Sequence, residues 1–387
     1  ALMAEDSHVL IQAMQALGVS VQVSDDTVRV IGAGGPLVAS EGDLDLRLSG
    51  TSIRFLTAVL ALGHGRFRLD GNERMRERPI EPLLASLRQL GADATSEARN
   101  GCPPVVLSAA GLKGGLASVG GEVSSQFLSA LLLAAPYASA PVTLEVEGEL
   151  QSKPFIDMTL DLMADFGVSV EREGYRRFTL SPGRYRALDY RIEGDAMAAG
   201  YFWAAAAVTG GSVRICNLGS RTRQGDAGFA AVLARMGCTV EWGADMMRLD
   251  GPRHGRLSGG EFDLNDMPDQ AQTLAVVGLF ADSPVHITNV SNLRVKETDR
   301  LSAMARELSR LGATVREGDD YLTVWPLTRP PAHTVELETY GDHRMAMALT
   351  VAGARLPNVV IKDPACVAKT YPGFFGDFID LLEGRLS

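Results

Sequence analysis

The residues in this sequence best suited to chemistry are cations that share short turns with carboxylates. Lys296, Glu297 and Arg300 lie in VKETDR, Asp342, His343 and Arg344 in GDHR, and Arg54 closes SGTSIR. Each turn runs straight into an apolar stretch, as do EVSSQ ahead of Phe127 and NDMPDQ ahead of Ala271. A helix that starts there presents unpaired amide hydrogens and about half a positive charge. A guanidinium in the same turn then holds a phosphate or carboxylate without a metal. Capping by Ser, Thr, Asp or Asn explains any single start as well; five such starts, several with Arg or Lys beside them, point to anion binding. The segment RMRERPIEP adds Arg74, Arg76 and Arg78, and Pro79 keeps it from continuing as a helix, so by itself it reads as a solvated loop. GxxxxGK[ST] and GxSxG are absent, which leaves nucleoside triphosphate binding and serine-hydrolase chemistry without a motif.

The elements that must position these turns follow from an internal repeat. MQALGV, LRQLGA, MADFGV, LARMGC and LSRLGA each join an amphipathic stretch to a glycine and then to the start of a strand. With Gly384 after FGDFIDLLEG, the glycines Gly18, Gly91, Gly167, Gly237, Gly312 and Gly384 stand at intervals of 73, 76, 70, 75 and 72 residues. Glycine fits the left-handed position that ends a helix. Each of the six units then reads as strand, helix, strand and a second helix ending at the glycine, with extra strands between units. The fold class is α/β with sheets covered by helices, and six units divide into two domains of three, residues 1–193 and 194–387. Around that boundary YRIEGDAMAAGYFWAAAAVTGG reads as a strand, a Gly-Asp turn and an Ala-rich helix. Only 17 residues precede Gly18, so the spacing predicts a first unit short by roughly 50 residues. The last unit correspondingly lacks a strand that an N-terminal strand could supply.

Composition narrows the function. A chain of 387 residues exceeds what one core usually holds. Apolar residues at 46% and charged residues at 22% are ordinary globular values, and no run approaches the roughly 18 apolar residues of a membrane span. ALMAEDSHVL does not read as a secretory signal, so a cytoplasmic protein is expected. The formal charge of −10 disfavours nucleic acid as a partner. An acidic protein of this kind takes a small anion by concentrating its cations in one cleft. Cys102, Cys216, Cys238 and Cys366 lie far apart without metal-ligand spacing and are expected to be ordinary thiols, with no metal site and no disulfide framework.

Seven segments in order, SGTSIR, RMRERPI, SSQFLSALLLAAP, SKPFIDMTL, NLRVKETDRL, YGDHRMAMA and KTYPGFF, resemble the successive signatures of 5-enolpyruvylshikimate-3-phosphate (EPSP) synthases, over essentially the whole chain. The resemblance implies two similar domains, each of three repeated α/β units about a pseudo-threefold. The N-terminal one would face shikimate 3-phosphate and the C-terminal one phosphoenolpyruvate. It implies that Ser124, Ser125 and Ser152 hold the phosphate of shikimate 3-phosphate, with Gln126 over the ring and Asp269, Asn292 and Lys296 at its hydroxyls. Gly50, Arg78, Gln126, Arg300, Arg344 and Lys369 match the phosphoenolpyruvate-binding positions. The implied reaction is addition and elimination at C2 of phosphoenolpyruvate, without cofactor or covalent enzyme link. Asp269 is the candidate base, Glu297 the candidate acid and Lys296 a further catalytic candidate. For each carboxylate a helix cap or ion-pair partner is the plainer reading, and His343 reads as structural. A monomer acting on small anions, at a site where glyphosate competes in this family, completes the expectation.

The chain departs from the family pattern in places. The family's opening segment of the type PGSKS followed by Arg has no match here, which predicts low activity unless another polypeptide supplies it. Leu48 stands where Asn is common, Phe155 where Tyr is frequent, and Met197 and Gly200 in a segment usually rich in Ser. The alternatives are an anion-binding inactive remnant of the family, or a UDP-N-acetylglucosamine enolpyruvyl transferase, whose reactive loop Cys is absent from Arg74 to Pro82.

Overall fold

The computed structural model describes residues 3–25, 27–252 and 256–385. They form two compact units that meet between Arg191 and Ile192, each with its own core.

Unit 1 runs α1 (Glu5–Ala16), β1 (Ser20–Ser24), β2 (Thr27–Ile31), β3 (Glu41–Asp45), α2 (Gly50–Leu60), β4 (His64–Asp70), α3 (Glu81–Gln89), β5 (Asp93–Ser96), β6 (Val105–Ala110), β7 (Gly115–Gly120), α4 (Ser125–Ala134), β8 (Val142–Glu147), α5 (Lys153–Asp165), β9 (Glu171–Glu173) and β10 (Arg177–Leu180). Its sheets are the hairpin β1-β2 and two four-stranded sheets, β3-β4-β6-β5 and β7-β8-β10-β9. In both, the first pair is parallel and the others antiparallel. The parallel pair demands a crossover, and the crossovers are α2 and α4.

Unit 2 runs α6 (Ala196–Thr209), β11 (Ser212–Cys216), α7 (Phe229–Arg235), β12 (Thr239–Trp242), β13 (Met246–Asp250), β14 (Gly260–Asp263), α8 (Ala271–Gly278), β15 (Val285–Thr288), α9 (Arg300–Arg310), β16 (Val315–Glu317), β17 (Leu322–Val324), β18 (Val335–Leu337), α10 (His343–Gly353), β19 (Val359–Ile361) and α11 (Phe374–Leu382). The sheet β14-β15-β17-β16 repeats the unit 1 order, and β18-β19 repeats its parallel pair. A sheet β11-β13-β12 completes the unit.

The repeat is visible in the helix ends. α1, α3, α5, α7, α9 and α11 all stop two residues before the repeated glycine, and all six glycines have positive φ, from 68° to 110°. At each, the glycine N–H donates three residues back and the next N–H five residues back, as in Gly312 to Ser309 (2.9 Å) and Ala313 to Leu308 (3.1 Å). This pairing satisfies carbonyls that the helix end would otherwise leave open.

The crossover helices are apolar nearly all round and therefore buried. In unit 2, α6, α8 and α10 pack on one another, with Trp203 fully enclosed and Ala271 to Gly278 buried without exception. In unit 1, α2 packs on α4 and α4 on α5, with Ser129 Oγ and Thr159 Oγ1 2.8 Å apart across the second contact. A helix buried along its length meets solvent mainly at its ends.

Two sequence expectations are corrected here. Tyr190 to Glu193 is not a strand: the chain is irregular from Arg184 to Asp195. Leu188, Tyr190 and Ile192 are 49, 43 and 59% exposed, so the alternation that suggested a strand finds no ladder. The helix that follows is as expected, capped by Asp195 Oδ1, which accepts from Met197 N at 2.8 Å. The Arg74 to Pro82 segment is not simply a solvated loop either, because Arg78 is only 5% exposed.

Candidate active site

Three helix starts in unit 1 gather the polar residues singled out from sequence. Gly50 is the first residue of α2. A Cβ there would lie 2.8 Å from both terminal nitrogens of the buried Arg78 guanidinium, so this position must lack a side chain for Arg78 to lie against the helix start. Ser124 caps α4, its Oγ accepting from Gln126 N at 3.3 Å, and Ser125 is buried in the first turn. The Gln126 amide is fixed at both ends: Arg54 Nη1 donates to its Oε1 at 2.5 Å, and its Nε2 donates to Thr51 Oγ1 at 2.9 Å. Arg54 is itself buried with its guanidinium 5.1 Å from the Phe127 ring centre. Ser152 precedes α5 in the left-handed region, φ 56° and ψ 47°, and makes no capping bond. A non-glycine residue held there is strained, and such strain concentrates where a side chain must be aimed.

Unit 2 holds an ion network centred on Arg300, the first residue of α9 and 1% exposed. Arg300 Nε and Nη2 donate to the two Asp342 oxygens at 2.7 and 3.2 Å. Its Nη1 donates to Asp269 Oδ1 at 2.8 Å, and Nη2 also to Glu297 Oε2 at 2.8 Å. Arg344 Nη2 stands 3.3 Å and Lys296 Nζ 3.7 Å from Asp269, and Lys369 Nζ 3.3 Å from Glu297. The Gln272 amide satisfies its neighbours when Nε2 faces the Asp269 carbonyl (3.1 Å) and Oε1 faces Arg300 Nε (3.2 Å). Asp342 also caps α10, accepting from Arg344 N at 2.9 Å. Asn292 is buried nearby in sequence, and its Oδ1 takes no hydrogen bond among the described residues.

Electrostatics set the protonation states. Burial works to raise the Asp269 pKa, but Arg344, Lys296 and Arg300 outweigh it and hold the carboxyl well below the usual range. Burial likewise opposes the Arg300 charge, and Asp342, Glu297 and Asp269 more than offset that. His343 is pushed well below its ordinary value by burial and then by Lys369 and Arg344, so its imidazole is neutral at neutral pH. Asp226 goes the other way: burial, reinforced by the charge of Asp269, lifts it to about 7. Its Oδ1 takes no hydrogen bond among the described residues.

Four cations (Arg300, Arg344, Lys296, Lys369) thus face three network carboxylates (Asp269, Glu297, Asp342). The network concentrates four cations at or near the starts of buried helices. Such a place can hold a phosphate or carboxylate, and its low dielectric strengthens the attraction. Among the described residues, no group of three or more His, Cys, Asp or Glu is placed to hold a metal ion.

The residues expected from sequence are therefore found in two sets. Gly50 and Gln126 stand with Ser124 and Ser125 on the packed α2–α4 pair, Arg78 lies against Gly50, and Ser152 precedes α5. Asp269, Lys296, Glu297, Arg300, Arg344 and Lys369 form one network. Asp226 and Gln272 were missed. The only sequence signal for Asp226 is a lone carboxylate in QGDAG before an apolar run, which capping explains equally well. Of the departures, Met197 is buried in the core and a Cβ at Gly200 would meet the Gln270 side chain at 2.5 Å. Local packing therefore accounts for the small residue at 200.

Comparison with known proteins agrees along almost the full length. Residues 1–378 match the family described as EPSP synthase (3-phosphoshikimate 1-carboxyvinyltransferase). The chain is 45% identical over 384 residues to the 3-phosphoshikimate 1-carboxyvinyltransferase of Shewanella amazonensis, covering 98% of this chain and 89% of that one. It is 47% identical over 377 residues to that of Serratia proteamaculans, covering 96% and 86%. An EPSP synthase structure from Acinetobacter baumannii superposes with a TM-score of 0.78 at 26% identity, covering 99% of this chain and 88% of that one. These matches do not bear out the short first unit expected from the glycine spacing; the chain spans 89 and 86% of the two relatives' lengths. Spacing, signatures, repeated sheets and relatives all lead to one assignment: the chain belongs to the EPSP synthase family.

Proposed function

We propose that this protein is a 3-phosphoshikimate 1-carboxyvinyltransferase, which transfers the enolpyruvyl group of phosphoenolpyruvate to the 5-hydroxyl of shikimate 3-phosphate and releases phosphate, a step of aromatic amino-acid biosynthesis. The observation that carries this reading is the network of four cations and three carboxylates around Arg300. Two polyanionic substrates require such a concentration of cations, and an otherwise acidic protein has little other reason to bury it.

In this reading unit 1 serves the shikimate 3-phosphate side. Ser124, Ser125 and Ser152 take the phosphate through hydroxyls and helix-start amides, and Gln126, held by Arg54 and Thr51, covers the ring. Asp269, Asn292 and Lys296 address its hydroxyls. Of the phosphoenolpyruvate-binding positions, Arg300, Arg344 and Lys369 lie in unit 2, and Arg78 and Gly50 in unit 1. Asp269 removes the 5-hydroxyl proton as the oxygen bonds to C2, while Glu297 delivers a proton to the methylene carbon. The resulting tetrahedral ketal then expels phosphate as the Glu297 carboxylate, left ionised by its first transfer, takes a proton back from the methyl group. Asp269, ionised and gripped by three cations, is a weak base until the substrates' anionic groups draw Arg344 and Lys296 towards themselves.

The same reading makes the protein a cytoplasmic monomer. Its four cysteines are free thiols, and no helix among the described residues is long and apolar enough to cross a membrane. The test is phosphate release by the purified protein with both substrates present. Release that requires both, with the enolpyruvyl ether as co-product, is expected. A folded protein that binds either anion and releases no phosphate would overturn the enzymatic reading and leave the anion-binding remnant.

A further inference from the structure

Helix α9 carries Arg300 at its start and, two turns on, a second charged group that the reaction does not use. Glu307 has no side-chain exposure at all, a rare condition for a carboxylate unless it is fully partnered. Its partners are specific. Oε1 accepts from the Tyr340 hydroxyl at 2.6 Å, and Oε2 accepts from the Glu338 backbone N–H at 3.0 Å and from Arg310 Nη1 at 3.2 Å. One carboxylate therefore grips the chain at residues 338 and 340. Arg306 completes the clamp: Nη1 donates to the Tyr340 oxygen at 3.1 Å, and its guanidinium lies 5.6 Å from the ring centre.

What lies beyond Tyr340 gives the clamp its meaning. The Asp342 N–H donates to Thr339 O at 2.9 Å, closing a four-residue turn whose central residues, Tyr340 and Gly341, have φ of 57° and 65°. Two successive positive φ values define a type I′ turn, and a tyrosine in the first of them is disfavoured. Something outside the turn must hold Tyr340 there, and the hydroxyl bond to Glu307 does so. The next residue, Asp342, both caps α10 and takes Arg300 through two bonds, and Arg344 follows in the first turn of α10. Helix α9 thus meets this stretch twice, through Arg300 at Asp342 and through Glu307 at residues 338 and 340.

We propose that Glu307 is a positioning residue: through Tyr340 it sets the turn that aims Asp342, and with it the Arg300 and Arg344 guanidiniums, at the anion they bind. The kinetic half of the test rests on the function proposed above; the structural half does not. Glu307→Gln places an amide N–H₂ against a donor, and Tyr340→Phe removes the hydroxyl while leaving the Glu338 and Arg310 contacts. For both variants, kcat and both KM values are measured alongside amide exchange in the peptide spanning residues 338–346. Expected for E307Q is a rise of about tenfold or more in KM for phosphoenolpyruvate, a change of less than about twofold in KM for shikimate 3-phosphate, and faster exchange confined to that peptide. Y340F should change the phosphoenolpyruvate KM and the exchange in the same direction by less, and the double variant should be less affected than the two single effects combined, because both single variants break the same Glu307–Tyr340 bond. If E307Q is recovered unfolded, Y340F carries the test with the same readouts. Unchanged exchange at 338–346, or KM values that rise together for both substrates, would overturn the proposal. Wild-type protein without turnover would remove the proposed function, while the exchange readout still decides whether Glu307 holds the turn.

Discussion

Replacing Asp226 by Asn should make the protein more resistant to unfolding at alkaline pH and change little at acid pH. The carboxyl is buried beside the charge of Asp269, which raises its pKa from 3.8 to about 7. The folded protein therefore holds a proton here that the unfolded chain releases above its own, lower pKa. The sign follows from linkage: where the native state binds more protons than the unfolded state, stability falls as pH rises. The fall begins near pH 4, ends once the pH passes about 7, and is absent below both values. A difference of about three pKa units corresponds to roughly 4 kcal/mol at full ionisation, an upper bound because internal relaxation and water reduce it. Asn keeps the shape and never ionises, so the variant avoids this cost. Urea unfolding of both proteins at several pH values from 5 to 8.5 measures it, with each unit's transition followed separately because two units need not unfold together. The advantage of D226N over wild type should already be roughly a third to a half of its full size at pH 5, grow through pH 7 and level off above pH 8. An advantage independent of pH, or one that shrinks as pH rises, would refute the assignment of a native-state proton to Asp226.

Two further substitutions separate binding from stability. Gly50→Ala puts a methyl group 2.8 Å from the Arg78 guanidinium, so the guanidinium must move. KM for phosphoenolpyruvate should rise about tenfold or more, the equivalent of about 1.4 kcal/mol, with the urea midpoint nearly unchanged; steady-state kinetics and unfolding on the same preparation check both. Ser152→Gly relieves a left-handed residue at φ 56° and should raise stability by up to about 1 kcal/mol, since αL costs a non-glycine residue about that much. It should also raise KM for shikimate 3-phosphate, and a variant that loses stability would show that the Ser152 hydroxyl is a structural bond rather than a ligand contact.

What the sequence discloses depends on how local the cause is. The six helix-ending glycines were legible because a Schellman stop depends on a few neighbouring residues, and a periodicity of about 70 residues repeats it often enough to be seen. The cationic turns at Lys296 to Arg300 and Asp342 to Arg344 were legible for the same reason, as caps just ahead of apolar runs. Arg78 was not. Its burial depends on an approach to Gly50, 28 positions earlier in the chain, and nothing in RMRERPIEP separates the buried arginine from Arg74 and Arg76, which pair with Glu77 and Asp70. The irregular stretch before Asp195 misled because alternation reports a pattern and not the presence of a neighbouring strand. Asp226 and Glu307 lay out of reach since a carboxylate's burial is a property of the whole unit.

The carboxylates around Arg300 have a consequence for how tightly the protein can hold a ligand. Asp269, Glu297 and Asp342 already occupy much of the donor capacity of Arg300, Arg344, Lys296 and Lys369. An arriving anion does not fill a vacancy; it enters an exchange in which internal counterions give up part of their grip. Affinity is then a difference between two sets of ion pairs, smaller than either. In return the cations are kept from repelling one another apart between turnovers, and weak anions of the cell, which offer no better partner than a carboxylate already in place, gain nothing by entering.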